Sequence, residues 1–157
     1  MENGEKPVRP PEQDKRITNI ILDHWNAIRG LKKYPAETDL DPALLEELLD
    51  NCFLIKTEGI FEGKYNYKFL GKNIMNAYGS DLTRSLNDSA ENPFSQRDKI
   101  KELITHEHPI IDEGEFHNIN KDIIKYRQCL VPLSSDGTNI DSIFGGMRFI
   151  IIPNNNA

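Results

Sequence analysis

Two long runs of β-branched and aromatic residues stand near the end of the chain, Ile123 to Leu133 and Ile140 to Ile152. Between them lies Ser134-Ser135-Asp136-Gly137-Thr138-Asn139, whose Asp-Gly pair is a hairpin signal. The spacing predicts two long antiparallel strands at the middle of a sheet. Shorter stretches extend it. Cys52-Phe53-Leu54-Ile55 reads as a first strand. Lys64 to Leu70 alternates, which places Tyr65, Tyr67 and Phe69 on one face and Lys64, Asn66 and Lys68 on the other. Ile110-Ile111 and Glu115 to Ile119 read as one strand broken around Gly114.

Helical spacing appears elsewhere. Ile17, Ile20, Ile21, His24, Trp25 and Ile28 form a wide apolar stripe, predicting a helix from Asp14 to Arg29 that Gly30 stops. That stripe must be covered by the chain's own sheet or by a second copy. Asp41 has the chemistry of an N-cap and Pro42 suits the first helical position, with Leu44, Leu45, Leu48 and Leu49 on one face. A short helix through Ile74, Met75 and Tyr78 reaches Gly79. Another runs from Gln96 to His106, where Pro109 forbids continuation. Ser80 to Ser95 is polar and irregular in pattern, and within it Asp81-Leu82-Thr83 and Leu86 suggest an ordered segment lying against the core.

Two strands, several short helices and three further strands predict an α+β fold with an antiparallel sheet, and argue against a doubly wound sheet. The expected organisation is a flexible arm over 1–13, a single domain over 14–153 that includes the helix 14–29, and a flexible tail over 154–157. The size, 157 residues with 38% hydrophobic and 28% charged, allows one full core. The net charge of −6 argues against nucleic acid as a partner. No apolar run is long enough for a membrane span, and no export signal precedes the first helix, so a cytoplasmic setting is expected. Cys52 and Cys129 sit in apolar runs and are expected to be buried free thiols.

Candidate chemistry is sparse. His106-Glu107-His108 is the most suggestive cluster, since alternate residues of an extended segment point the same way and His117 follows a bend at Gly114. Its spacing matches no metal-site pattern, so no metal is expected and the cluster reads as an exposed helix end. His24 on the apolar helix face reads as a satisfied core or interface histidine. Gly145-Gly146 within a strand run marks a bulge or close packing. Lys125 and Arg127, with Asn66 and Lys68, would make either a basic patch or a charge-balanced solvated face. Tyr65, Tyr67, Phe69, Met75 and Tyr78 are the candidate pocket or core residues. Ile17, Ile21, Trp25 and Ile28 are the candidate interface residues.

Several short motifs resemble a divergent group of PAS-like domains found mostly in alphaproteobacteria. They are His24-Trp25-Asn26-Ala27-Ile28-Arg29-Gly30, Tyr34-Pro35, Asp39-Leu40-Asp41-Pro42, Asn51-Cys52-Phe53-Leu54, Tyr67-Lys68-Phe69-Leu70-Gly71, Gly79-Ser80-Asp81-Leu82-Thr83 and Leu130-Val131-Pro132-Leu133-Ser134-Ser135-Asp136-Gly137. The resemblance implies a PAS-like fold: a five-stranded antiparallel sheet, helices over one face and an additional N-terminal helix. The sequence departs from the group at Glu37, where an arginine is usual, and at Arg84, where a glycine is usual. The resemblance carries no catalytic set. Haem-binding relatives use a histidine on the helix before the later strands, and here that helix has only His106 at its end. Flavin photosensors use an asparagine-cysteine-arginine motif, and Asn51-Cys52 falls instead on the first strand. No cofactor is therefore expected. The implied function is a stand-alone sensory or regulatory domain acting through self-association or a signalling protein such as a kinase, with a small molecule as a further candidate ligand. The alternative is a small cone-shaped α+β enzyme, a hydrolase or isomerase with an internal pocket. Mostly apolar inward positions disfavour it.

Overall fold

The computed structural model describes residues 16–62, 64, 66–79 and 97–154. The expected arm over 1–13, the first two residues of the predicted helix, Tyr65, Arg84 and the segment Ser80 to Ser95 lie outside these residues. So do residues 155–157 of the expected tail.

Five strands form one antiparallel sheet: β1 (Cys52–Lys56), β2 (Asn66–Leu70), β3 (Ile110–His117), β4 (Ile123–Leu133) and β5 (Ser142–Ile152). Their order is β2-β1-β5-β4-β3. The predicted hairpin supplies the long central pair, in unbroken register from Ile123↔Ile152 to Leu133↔Ser142. β3 is continuous rather than broken at Gly114. The ring of Tyr126, directly opposite, lies over Gly114 and fills the space a side chain would take.

Among the described residues four α-helices cover the two faces: α1 (Ile17–Arg29), α2 (Pro42–Leu48), α3 (Lys72–Tyr78) and α4 (Arg97–His106). Local chemistry sets their ends. The Asp41 side chain accepts from Ala43 N–H at 3.0 Å, with Pro42 in the first turn. Gly79 closes α3 in the left-handed region at φ 84°. At Asn154, the first residue of the expected tail, the N–H is held by Asp122 Oδ1 at 2.7 Å.

The sheet has two apolar faces. On the first, Phe53, Ile55, Leu130, Ile143 and Met147 meet Ile74 and Tyr78 of α3 and Ile100 and Leu103 of α4. On the second, Ile17, Ile21 and Trp25 of α1 pack on Cys52, Leu54, Cys129, Val131, Leu133 and Phe144. The cover for the α1 stripe, which its spacing leaves open, is thus the chain's own sheet. Trp25 is 6% exposed and its indole N–H donates to the Pro132 carbonyl at 2.7 Å.

Gly145-Gly146 marks close packing, not a bulge, since the register runs through both residues on both sides. A Cβ on Gly146 would collide with Ile21, and one on Gly145 with the Phe53 ring. The bulge lies in β2. Leu54 pairs with Phe69, but Ile55 pairs with Tyr67, leaving Lys68 as the extra residue. This corrects the expectation that Tyr67 and Phe69 share a face. Tyr67 packs with the first face, edge-on to Phe53 at 6.3 Å. Phe69 packs with the second, beside Phe144. Glu37, the departure from the resembled pattern, receives the bulged residue: its carboxylate binds Lys68 and lies 3.8 Å from Lys56.

Candidate functional site

Two regions bring side chains together in a way that suits recognition. The first is the face under α3 and α4. Tyr78 stacks on Phe116 with centroids 4.2 Å apart, and Phe116 lies 6.0 Å from Tyr126. Tyr67 and Met75 complete this aromatic and thioether set as half-buried neighbours. Burial pushes the Tyr78 phenol well above its ordinary pKa and raises that of Tyr126. Of the predicted pocket residues, Tyr67, Met75 and Tyr78 therefore do gather, whereas Phe69 is on the other side of the sheet.

Strand alternation also brings a polar residue inward here. Ile124, Tyr126, Gln128 and Leu130 are alternate residues of β4, and Gln128 is 1% exposed. Its amide donates to Asp112 Oδ1 at 2.9 Å. The other Asp112 oxygen meets Lys99 of α4 at 2.8 Å. The hydrogen bond to Asp112 raises the Lys99 pKa. This trio ties α4 to β3 and β4. The sequence signal was available in the period-two pattern, which puts Gln128 on the Ile124 and Leu130 side, but a single glutamine in an apolar strand carries no motif.

The second region is the end of the opposite face that α1 leaves bare. Arg16, just before α1, stands beside the ends of β3, β4 and β5 around an open groove of about 770 Å³. On this side the alternation presents Glu113 and Glu115 of β3, Lys125 and Arg127 of β4, and Arg148 and Ile150 of β5. Arg127 binds Glu113 at 2.9 Å, and it also lies directly opposite Arg148. Arg148 and Ile150 are exposed, Ile150 at 64%. The expected patch is thus divided. Lys68 belongs with Glu37 at the far side of the sheet, and Lys125 and Arg127 belong here.

The candidate interface residues are placed otherwise than a free surface requires. Ile17, Ile21 and Trp25 are buried against the sheet and Ile28 is half-buried at the margin of the same cluster. Contact of the first three with a second copy would need α1 to lift away. His24 is half-buried and its Nε2 accepts the Asp41 N–H at 3.1 Å, linking α1 to the start of α2.

The histidine cluster stays at the surface. The rings of His106 and His108 stack 5.9 Å apart, and both are exposed. Among the described residues no group of three His, Cys, Asp or Glu side chains is placed to hold a metal ion. No described helix is long and apolar enough to cross a membrane.

Cys52 and Cys129 are free and buried beneath α1, each paired in register with Gly146 from opposite sides. A whole strand separates them, beyond the reach of a disulfide. Burial pushes both thiols up to about 12. The folded protein is therefore expected to resist a thiol-reactive dye at pH 8 and to take up two equivalents on unfolding. Rapid labelling of the native protein, read by intact mass, would contradict this placement.

Residues 13–148 match the PAS domain family. Comparison with curated proteins finds no match. Several solved structures share the fold. A light-oxygen-voltage domain studied with a flavin analogue is 10% identical, with 70% of this chain and 86% of that chain covered and a TM-score of 0.53. The dark structure of the blue-light photoreceptor Aureochrome1 LOV is 15% identical, covering 71% and 85% with a TM-score of 0.52. The photo-excited blue-light photoreceptor Vivid is 11% identical, covering 82% and 93% with a TM-score of 0.51. At these identities the likeness is one of fold alone.

Proposed function

Because the chain belongs to the PAS domain family, we propose that it is a sensory or regulatory domain that acts by association rather than by catalysis. The observation that supports this most is the divided outer face of the sheet. One half is sealed by α1, and the other half leaves Arg148 and Ile150 open to solvent beside Lys125 and Arg127. The surface suits a protein partner, either a second copy or a signalling protein such as a kinase. A small ligand belongs to the same reading, held between the sheet and α3 and α4 by Tyr67, Tyr78, Phe116 and Tyr126. Catalysis would need an inward acid or base free to act, and the inward carboxylate of Asp112 is held by Lys99 and Gln128. Two buried free thiols fit a reducing cytoplasm.

The test is site-specific photo-crosslinking in the source cells. A photoreactive residue at position 150 is expected to give a discrete protein adduct, and one at Asn26, exposed on the outer side of α1, is expected to give none. Equal adducts from both positions, or none from position 150, would remove the basis for this reading.

A further inference from the structure

The chemistry of the open groove narrows the kind of partner it fits. Its cations outnumber its anions: Arg16, Lys125, Arg127 and Arg148 against Glu113 and Glu115, on a chain whose net charge is −6. The balance within the groove is incomplete. Glu113 binds Arg127 and Glu115 stands directly opposite Lys125, but Arg16 and Arg148 have no ion pair among the described residues. Arg127 and Arg148 are direct cross-strand neighbours, a like-charge placement that costs stability in the free sheet. The like-charge pair and the unpaired guanidinium groups of Arg16 and Arg148 ask for an anionic acceptor from outside.

The layout also favours one class of anion. The cations occupy β4 and β5, and the two glutamates form a separate column on β3. A phosphate backbone or an anionic bilayer would set negative charge against that column as well. An extended peptide need not, because its charged side chains recur every second residue, roughly 6.5–7 Å apart. Lys125 and Arg127 have the same period.

Resting on the reading that this surface binds a protein, we propose that the groove docks an extended acidic segment of a partner protein. Carboxylates at alternate positions lie over Lys125 and over the paired Arg127 and Arg148. The guanidinium groups grip the carboxylates in charge-assisted hydrogen bonds, which relieves the repulsion between Arg127 and Arg148.

The experiment titrates the full chain with a fluorescent synthetic peptide of alternating glutamate and valine. A lysine–valine peptide of equal length, a single-stranded DNA oligonucleotide and vesicles of anionic lipid serve as comparisons. The glutamate–valine peptide is expected to bind best and to weaken as salt is raised. Arg148→Glu is expected to weaken it about tenfold to a hundredfold, and Arg148→Gln less. Both variants change an exposed side chain and remove the like-charge pair, and a thermal transition no lower than that of the unaltered protein checks that they fold. Preference for the lysine–valine peptide overturns the proposal and leaves the groove a protein-docking surface. So does a dimer by light scattering that Arg148→Glu dissolves. Stronger binding of DNA or vesicles overturns both the proposal and the reading beneath it. If the peptide fails to bind while crosslinking from position 150 succeeds, the acidic segment is wrong and the docking surface stands.

Discussion

Trp25→Ala is expected to destabilise the domain by about 3–5 kcal/mol, the range for losing a large buried aromatic side chain. The indole is the largest side chain α1 contributes to the sheet, and its removal also leaves the Pro132 carbonyl without its 2.7 Å donor. The loss is measured as a lower denaturant midpoint with an unchanged slope. A shift below about 1 kcal/mol would mean that α1 is not fixed to the sheet in solution. A charged replacement here would report folding before it reported association, since Trp25 is already buried within one chain.

Gly71→Ala is expected to cost at least about 2 kcal/mol, by overpacking against groups that cannot yield. The backbone angles at Gly71, φ −62° and ψ 145°, suit any residue, so the demand is one of space. A Cβ would collide with the Asp50 carbonyl and lie 2.6 Å from the Leu49 oxygen, and both are backbone atoms. Gly71 N–H also donates to Cys52 O at 2.8 Å, which fixes the junction between β2 and α3. Lys72→Ala, one residue on and exposed, is the control and is expected to stay within about 0.5 kcal/mol. Equal behaviour of the two variants in thermal melts would refute the spatial argument.

Much of the architecture was legible in the chain. The α1 stripe, the Asp41 cap, the Gly79 stop and the central hairpin are local patterns, and each holds in the structure. What was not legible depends on pairing across distance. Alternation alone puts Tyr67 and Phe69 together, and only the register of β2 against β1 reveals the extra residue between them. Gly145 and Gly146 were legible as a bulge or as close packing, and only the placement of Phe53 and Ile21 over them decides for packing. The open groove was hidden for the same reason. Arg148 is one cation in an apolar run, and it becomes part of a cluster once β5 lies beside β4 and α1 stops short of it. The Lys99, Asp112 and Gln128 trio joins three elements far apart in the chain, with no shared motif.

The indole that fastens α1 is also the sole tryptophan among 157 residues. Its emission therefore comes from one side of the sheet only. Under selective excitation the α1 face is seen, while the tyrosines gathered beneath α3 and α4 stay dark. The two faces are thus optically separable in the unlabelled protein: departure of α1 would register in the indole signal, and an event on the opposite face would register there only if it crossed the sheet.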